Sequence, residues 1–239
     1  MIEQTRWVVA GIFLLGACHG SRPPIADVQS QSKTRGVPVY EEPGHRLVFQ
    51  NQYTRVMDVV IPPGEANLFH THANPLVGAV IQDGRSWTQK LGEPRGPVEV
   101  PNSVGTLIEN WSASLPYTHR VGNADTVRIH YLVAEWLMSP GDGSAALAET
   151  ASRHLLKEGQ AARAFITRLA ASESTEVHTH AAPGLTVYVT AGAISDEGDA
   201  AAATGGTGAG AWRWRNAGYK HVLRNTGTTP AQIMEIDWR

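Results

Sequence analysis

The apolar positions of this chain fall in short β-branched runs, such as Arg55 to Ile61 and Leu76 to Ile81, each closed by turn-forming residues. Pro62-Pro63-Gly64-Glu65 follows the first run and Asp83-Gly84 the second. Runs of this length and punctuation predict short strands joined by tight turns. Four stretches break the pattern. Trp7 to Ala17 is apolar and preceded by Arg6; it is too short to span about 30 Å of hydrocarbon as a helix and has the length of a signal-peptide core. From His19 to Pro38 the chain is polar and without apolar period, as a tether is. Ser139-Pro140-Gly141-Asp142-Gly143 is a breaker cluster, after which Ala145 to Leu156 reads as one short linking helix. Gly198 to Ala211 is almost wholly Gly, Ala and Thr, which reads as a mobile loop with no packed strand face.

A pattern recurs at longer range. His70-Thr71-His72 is matched by His178-Thr179-His180, and the downstream residues Tyr117, His119 and Asn123 by Tyr219, His221 and Asn225. The spacing from the second histidine to a glycine is also shared, His72 to Gly84 and His180 to Gly192. Each copy closes on an acid and a tryptophan, Glu135-Trp136 and Asp237-Trp238. Ordered agreement at this many positions marks an internal repeat of about a hundred residues. It divides the chain into a leader (1–17), a tether (18–38), a first unit (39–138), a linker (139–154) and a second unit (155–239).

Composition agrees. With 24 Gly and 14 Pro among 239 residues, turns are plentiful and a helical protein is disfavoured. A formal net charge of -2 with 18% charged residues leaves no basic face for nucleic acid.

The chemistry lies in the histidines. Residues i and i+2 of a strand point to one face, so H-x-H sets two imidazoles side by side and a histidine of a neighbouring strand can complete the set. His70, His72 and His119, and His178, His180 and His221, are therefore the candidate ligands of two divalent transition metals (Fe, Zn, Ni, Cu or Mn). Tyr117 and Tyr219 stand two residues before the third histidines, where they could donate hydrogen bonds that support the ligands, handle a proton or simply pack the barrel. Trp111, Trp212 and Trp214 read as core or pocket wall, His130 as structural, and His45 and His154 carry no motif. Glu135 and Asp237 are expected to face solvent or cap a barrel edge.

These motifs resemble those of the cupins. The pattern G-x5-H-x-H-x3-4-E-x6-G is matched by Gly64, His70, His72 and Gly84, and the second motif, ending in H-x3-N, by His119 and Asn123. The second copy matches with His178, His180, Gly192, Gly218, His221 and Asn225, with Ser172 in place of the leading glycine. The resemblance implies an all-β fold of two tandem jelly-roll barrels, antiparallel and of about six to eight strands each. Val77 and Leu185 occupy the glutamate position, so both sites are expected to offer three neutral imidazoles and no carboxylate. Some iron-dependent cupin oxygenases use such sets, and cupins also include decarboxylases, isomerases, storage proteins and sensors. The expectation is a metal-dependent enzyme with dioxygenase-like chemistry on a small organic compound, the first site carrying most of the catalysis; the alternative is a non-catalytic binding module. Leu15-Gly16-Ala17-Cys18 resembles the lipobox of bacterial lipoproteins, which implies a lipid on Cys18, the only cysteine, and, with His19 next, an outer-membrane anchor facing the periplasm.

Overall fold

The structure is a computed structural model that describes residues 35–96, 99–111, 114–141, 147–200, 203–206 and 208–239. The leader, Cys18 and most of the tether lie outside the described residues. Among the described residues there are strands, one 3-10 turn at Val39–Glu41 and no α-helix. The first repeat supplies β1 (Val37–Pro38), β2 (His45–Gln50), β3 (Thr54–Ile61), β4 (His70–His72), β5 (Leu76–Val80), β6 (Gly84–Lys90), β7 (Val100–Asn102), β8 (Leu107–Glu109), β9 (Tyr117–Asn123) and β10 (Ile129–Trp136). The second supplies β11 (Arg153–Glu158), β12 (Ala162–Leu169), β13 (His178–His180), β14 (Gly184–Tyr188), β15 (Ile194–Gly198), β16 (Ala203–Gly205), β17 (Ala211–Arg215), β18 (Tyr219–Asn225) and β19 (Ala231–Trp238).

Each repeat folds into two facing sheets. In the first, β1-β4-β9-β6-β7 faces β2-β3-β10-β5-β8; in the second, β13-β18-β15 faces β11-β12-β19-β14-β17-β16. The alternation of buried and half-buried positions on β3, and the nearly continuous burial of β12 and β19, follow from where each strand lies. A strand covered on one face alternates, and one covered on both is apolar throughout. The β2-β3-β10-β5-β8 sheet of the first repeat packs on the six-stranded sheet of the second. One core cluster joins Val56, Val77 and Leu132 of the first to Ile166, Val187, Met234 and Trp238 of the second.

Three expectations are corrected here. No helix forms at the carboxyl end of the segment from Ala145 to Leu156. Arg153 starts β11, its backbone in register with Thr167 and its side chain buried against Glu235, so tertiary pairing overrides the local preference. The last residues of the tether are structural, since Val37 is buried and pairs beside His70 in a parallel bridge. Part of the Gly/Ala-rich stretch is ordered pairing: β16 runs against β17 and Gly205 lies on the face of Trp212, where a Cβ would collide with the indole.

The motif glycine marks a real backbone demand. Gly64 has φ +73°, and Ser172 at the same turn of the second repeat has φ 65°, a region that disfavours side chains. The motif asparagines are fasteners. Asn123 Nδ2 donates to the carbonyls of Ile61 and Val127 and Asn225 Nδ2 to those of Leu169, Ala170 and Thr229, tying the end of the third-histidine strand to the end of β3 or β12 and to the turn before β10 or β19.

Candidate metal centres

Strand geometry assembles each triad. His70 and His72 project from β4 to one side, and the antiparallel register sets His119 of β9 directly opposite His70. In the second barrel His221 of β18 stands opposite His178 of β13. Within each triad the candidate ligand atoms lie within 4.8 Å of one another. Both sets of predicted ligands are therefore brought together.

The two sites are not alike. In the second, Glu235 of β19 joins the imidazoles as a fourth candidate ligand. Its Oε1 lies 3.2 Å from His178 Nε2, 3.1 Å from His180 Nε2 and 3.3 Å from His221 Nε2. The expectation of a carboxylate-free second site is thus corrected: Leu185 is apolar as read, and the acid comes from a different strand. The opposite ring nitrogens are held as well, His178 Nδ1 by the Glu176 carbonyl at 3.0 Å, His180 Nδ1 by Asp237 at 2.8 Å and His221 Nδ1 by Asp196 at 2.8 Å. Outer partners of this kind fix ring orientation and raise ligand basicity. Asp237 is buried and paired with Arg215, and Glu135 is buried against Arg55 at 2.6 Å, so neither faces solvent as expected.

In the first barrel the same fastening is partial. His70 Nδ1 donates to the Leu68 carbonyl at 2.9 Å, while His72 Nδ1 and His119 Nδ1 are buried without partners. Register explains why. The position of Asp196 on β15, opposite Leu223, is Thr88 on β6, opposite Val121, and Glu135, at the place of Asp237, is spent on Arg55. The position of Glu235 is Val133. His72 and His119 bring their Nε2 atoms to 3.0 Å.

Charge follows the same division. Burial, reinforced by the neighbouring imidazoles, lowers His72 to about 2; burial, with His45 nearby, lowers His119 to about 3 and depresses His70 as well. Shifts in this direction favour the neutral imidazole, the form that binds a metal. In the second site burial opposes ionisation of Glu235, yet hydrogen bonds from the three histidines hold it well below the usual carboxylate range. Burial also lowers His221, but Asp196 and Glu235 outweigh it and raise the net value. Both donor sets fit a divalent transition metal: neutral imidazoles converging from two strands in one barrel, and imidazoles with a carboxylate in the other.

A cavity of about 180 Å³ opens on the first triad. Its wall includes Tyr117, whose ring is 4.6 Å from that of His119, and a residue the sequence did not single out, His45. His45 is buried, its Nδ1 is 2.7 Å from Glu42, and its ring lies 4.5 Å from that of His70. The signal was local: an acid three residues before a histidine at a strand start. Tyr219 shares a face with His221, but its hydroxyl turns to Asp196 at 3.3 Å and Arg213 at 3.4 Å. It supports the acid that orients His221, which is the supporting-donor role that the sequence left open beside proton transfer. Trp212 and Trp214 are core, Trp111 packs between the barrels, and His130 is bonded to Asp58 at 2.8 Å.

No protein-family model matches the sequence, and no curated protein does. Solved structures match through the fold. An oxalate decarboxylase from Lactobacillus farciminis superposes with a TM-score of 0.55 at 12% identity, covering 78% of this chain and 77% of that one. A salicylate 1,2-dioxygenase from Pseudaminobacter salicylatoxidans gives 0.50 at 12% identity, covering 78% and 71%. A cupin 2 conserved barrel domain protein from Leptotrichia buccalis gives 0.50 at 10% identity, covering 81% and 87%. Likeness at these identities speaks for architecture, and with the two facing-sheet barrels it establishes that this chain has the all-β jelly-roll fold of the cupins.

Proposed function

We propose that this protein is a metal-binding bicupin whose first barrel is a metal-dependent enzyme site for a small organic substrate, with dioxygenase-like chemistry, and whose second barrel holds its metal without turnover. The observation that carries the reading is the contrast between the triads: the first faces a cavity, and the second is closed on the protein's own carboxylate. A metal bound by the first triad would act as a Lewis acid and binding point for substrate and oxygen. The chain's own residues do the rest: His70, His72 and His119 hold the metal, apolar walls exclude water, and Tyr117 stands at the rim for proton transfer.

The test is metal analysis of purified protein with the His72→Ala and His180→Ala variants, alongside oxygen uptake after loading with Fe(II). The expected result is about one equivalent lost in each variant and uptake lost only in His72→Ala. Unchanged metal content in both would overturn the assignment. Activity lost only in His180→Ala would reverse the roles of the barrels. Metal binding with no oxygen uptake on any small-molecule panel would leave the binding-module reading.

We also propose that the mature chain starts at a lipid-modified Cys18 and is held at the periplasmic face of the outer membrane, a reading supported by the Leu15-Gly16-Ala17-Cys18 sequence. Cys18→Ser should shift the protein from the membrane to the soluble fraction. Unaltered fractionation would exclude the anchor.

A further inference from the structure

The first pocket also describes what it binds. We propose that it takes a small anion with an apolar body of about one ring, and that Asn110 donates a hydrogen bond to an oxygen of that ligand. The inference rests on the reading of the first triad as a metal site.

The charge argument comes from comparing the barrels. In the second, Glu235 supplies an anionic oxygen where the three Nε2 atoms converge. The same register position in the first is Val133, and Glu109, the one carboxylate on the cavity wall, is spent on Lys157 and the backbone N–H of Trp111. Three neutral imidazoles leave a bound cation with its full charge, so the balancing oxygen has to come from the ligand.

Size and polarity follow from the wall. Val59, Ile61, Leu76, Ile108, Val121 and Val133 line a cavity of about 180 Å³, on the scale of the roughly 150 Å³ apolar cavity that accommodates benzene. Aliphatic walls disfavour a polyol or a ligand that is charged throughout, because its polar groups would lose water without gaining partners.

Asn110 adds direction. Its Oδ1 accepts the Leu76 N–H at 2.6 Å, which fixes the orientation of the amide. Its Nδ2 is consequently committed to the other side, where it is buried, without a partner, in a residue that lines the cavity. A buried donor left unmet is costly. In the second barrel the corresponding residue, Arg215, spends its terminal nitrogens on Asp237 and the carbonyls of Leu185 and Ile236 and leaves only its inner Nε, buried, without a partner.

Benzoate and acetate carry the same head group and differ in the apolar body. Each is titrated into Co(II)-loaded protein, with the visible cobalt spectrum and calorimetry as readouts. Benzoate should bind at least about tenfold more tightly than acetate through burial of its ring. Asn110→Asp keeps an acceptor for Leu76 and replaces the donor with an acidic oxygen; it should retain cobalt and lose at least about tenfold in benzoate affinity. Equal affinity for the two anions would overturn the ligand class, and unchanged benzoate binding by Asn110→Asp would overturn the role of Asn110. Failure of the metal reading is separately visible: cobalt uptake would then be the same in wild type and His72→Ala, and the proposal would fall with it.

Discussion

At the scale of single residues, the difference between the two sites comes down to where acids stand. Asp196 and Asp237 each hold the outer nitrogen of a candidate ligand, and their first-barrel counterparts do not. Asp196→Asn should weaken metal binding at the second site by about 10- to 100-fold and leave the first unchanged, as measured by competition with a chromogenic chelator. A second residue-level effect is backbone strain. Ser172 occupies the left-handed conformation that Gly64 adopts in the other repeat. Relief of that strain, offset by the greater unfolded-state freedom of glycine, should make Ser172→Gly more stable by about 0.5–1 kcal/mol in urea unfolding.

At the scale of elements, three adjacent strands carry a concerted exchange. β2, β3 and β10 place His45, Val59 and Val133 at register positions where β11, β12 and β19 place Arg153, Thr167 and Glu235. The second set is a closed network, with Glu235 Oε2 accepting from Thr167 Oγ1 at 2.9 Å and Arg153 Nε at 3.3 Å. It fills the barrel that the first set leaves open. Val133→Glu alone would bury a carboxylate without counterparts of the Thr167 and Arg153 partners of Glu235 and should cost about 3–5 kcal/mol. Adding His45→Arg and Val59→Thr should recover a large part of that loss, because residues of one network are not additive. Thermal unfolding of the single and triple variants measures the recovery, and a strictly additive triple would show that the three positions do not act together.

At the scale of the whole molecule, the barrels meet sheet to sheet and one supports the pocket wall of the other. Lys157 pairs with Glu109 and lies over the Trp111 ring, and Trp111 covers Gly159 so closely that a Cβ there would collide with it. Gly159→Ala should therefore destabilise the chain by about 1–3 kcal/mol through overpacking and weaken ligand binding at the first site, read by the cobalt spectrum. The same interface partly covers the Asp58–His130 pair, with His130 beneath Gly210 of the second barrel. Hydrogen bonding from His130 lowers the Asp58 pKa below 3.8 against the opposing effect of burial. A depressed carboxylate stabilises the fold fully above its unfolded value and loses that contribution as pH falls through the folded one. Asp58→Asn should be less stable than wild type at neutral pH, with the gap closing below about pH 4, as followed by melting temperature against pH.

The repeat, the all-β class and the six histidines were legible in the chain, because each is a matter of local period or spacing: H-x-H sets two imidazoles on one strand face whatever surrounds it. The sequence also placed Tyr117 and Tyr219 beside the third histidines. What those side chains meet depends on how distant strands pack. Glu235 is an acid within an apolar run, a legible oddity, yet that its Oε1 lies where three imidazoles converge depends on β19 crossing the barrel opposite β13 and β18. Asp237 and Glu135 occupy matching places in the sequence, and strand neighbours assign one to a histidine and the other to Arg55. His45 joined the first pocket for the same reason, since its closeness to His70 is a contact between strands of different sheets. The register of separated strands is set by the packing of all of them at once, and it is this register that leaves one triad facing a cavity and closes the other.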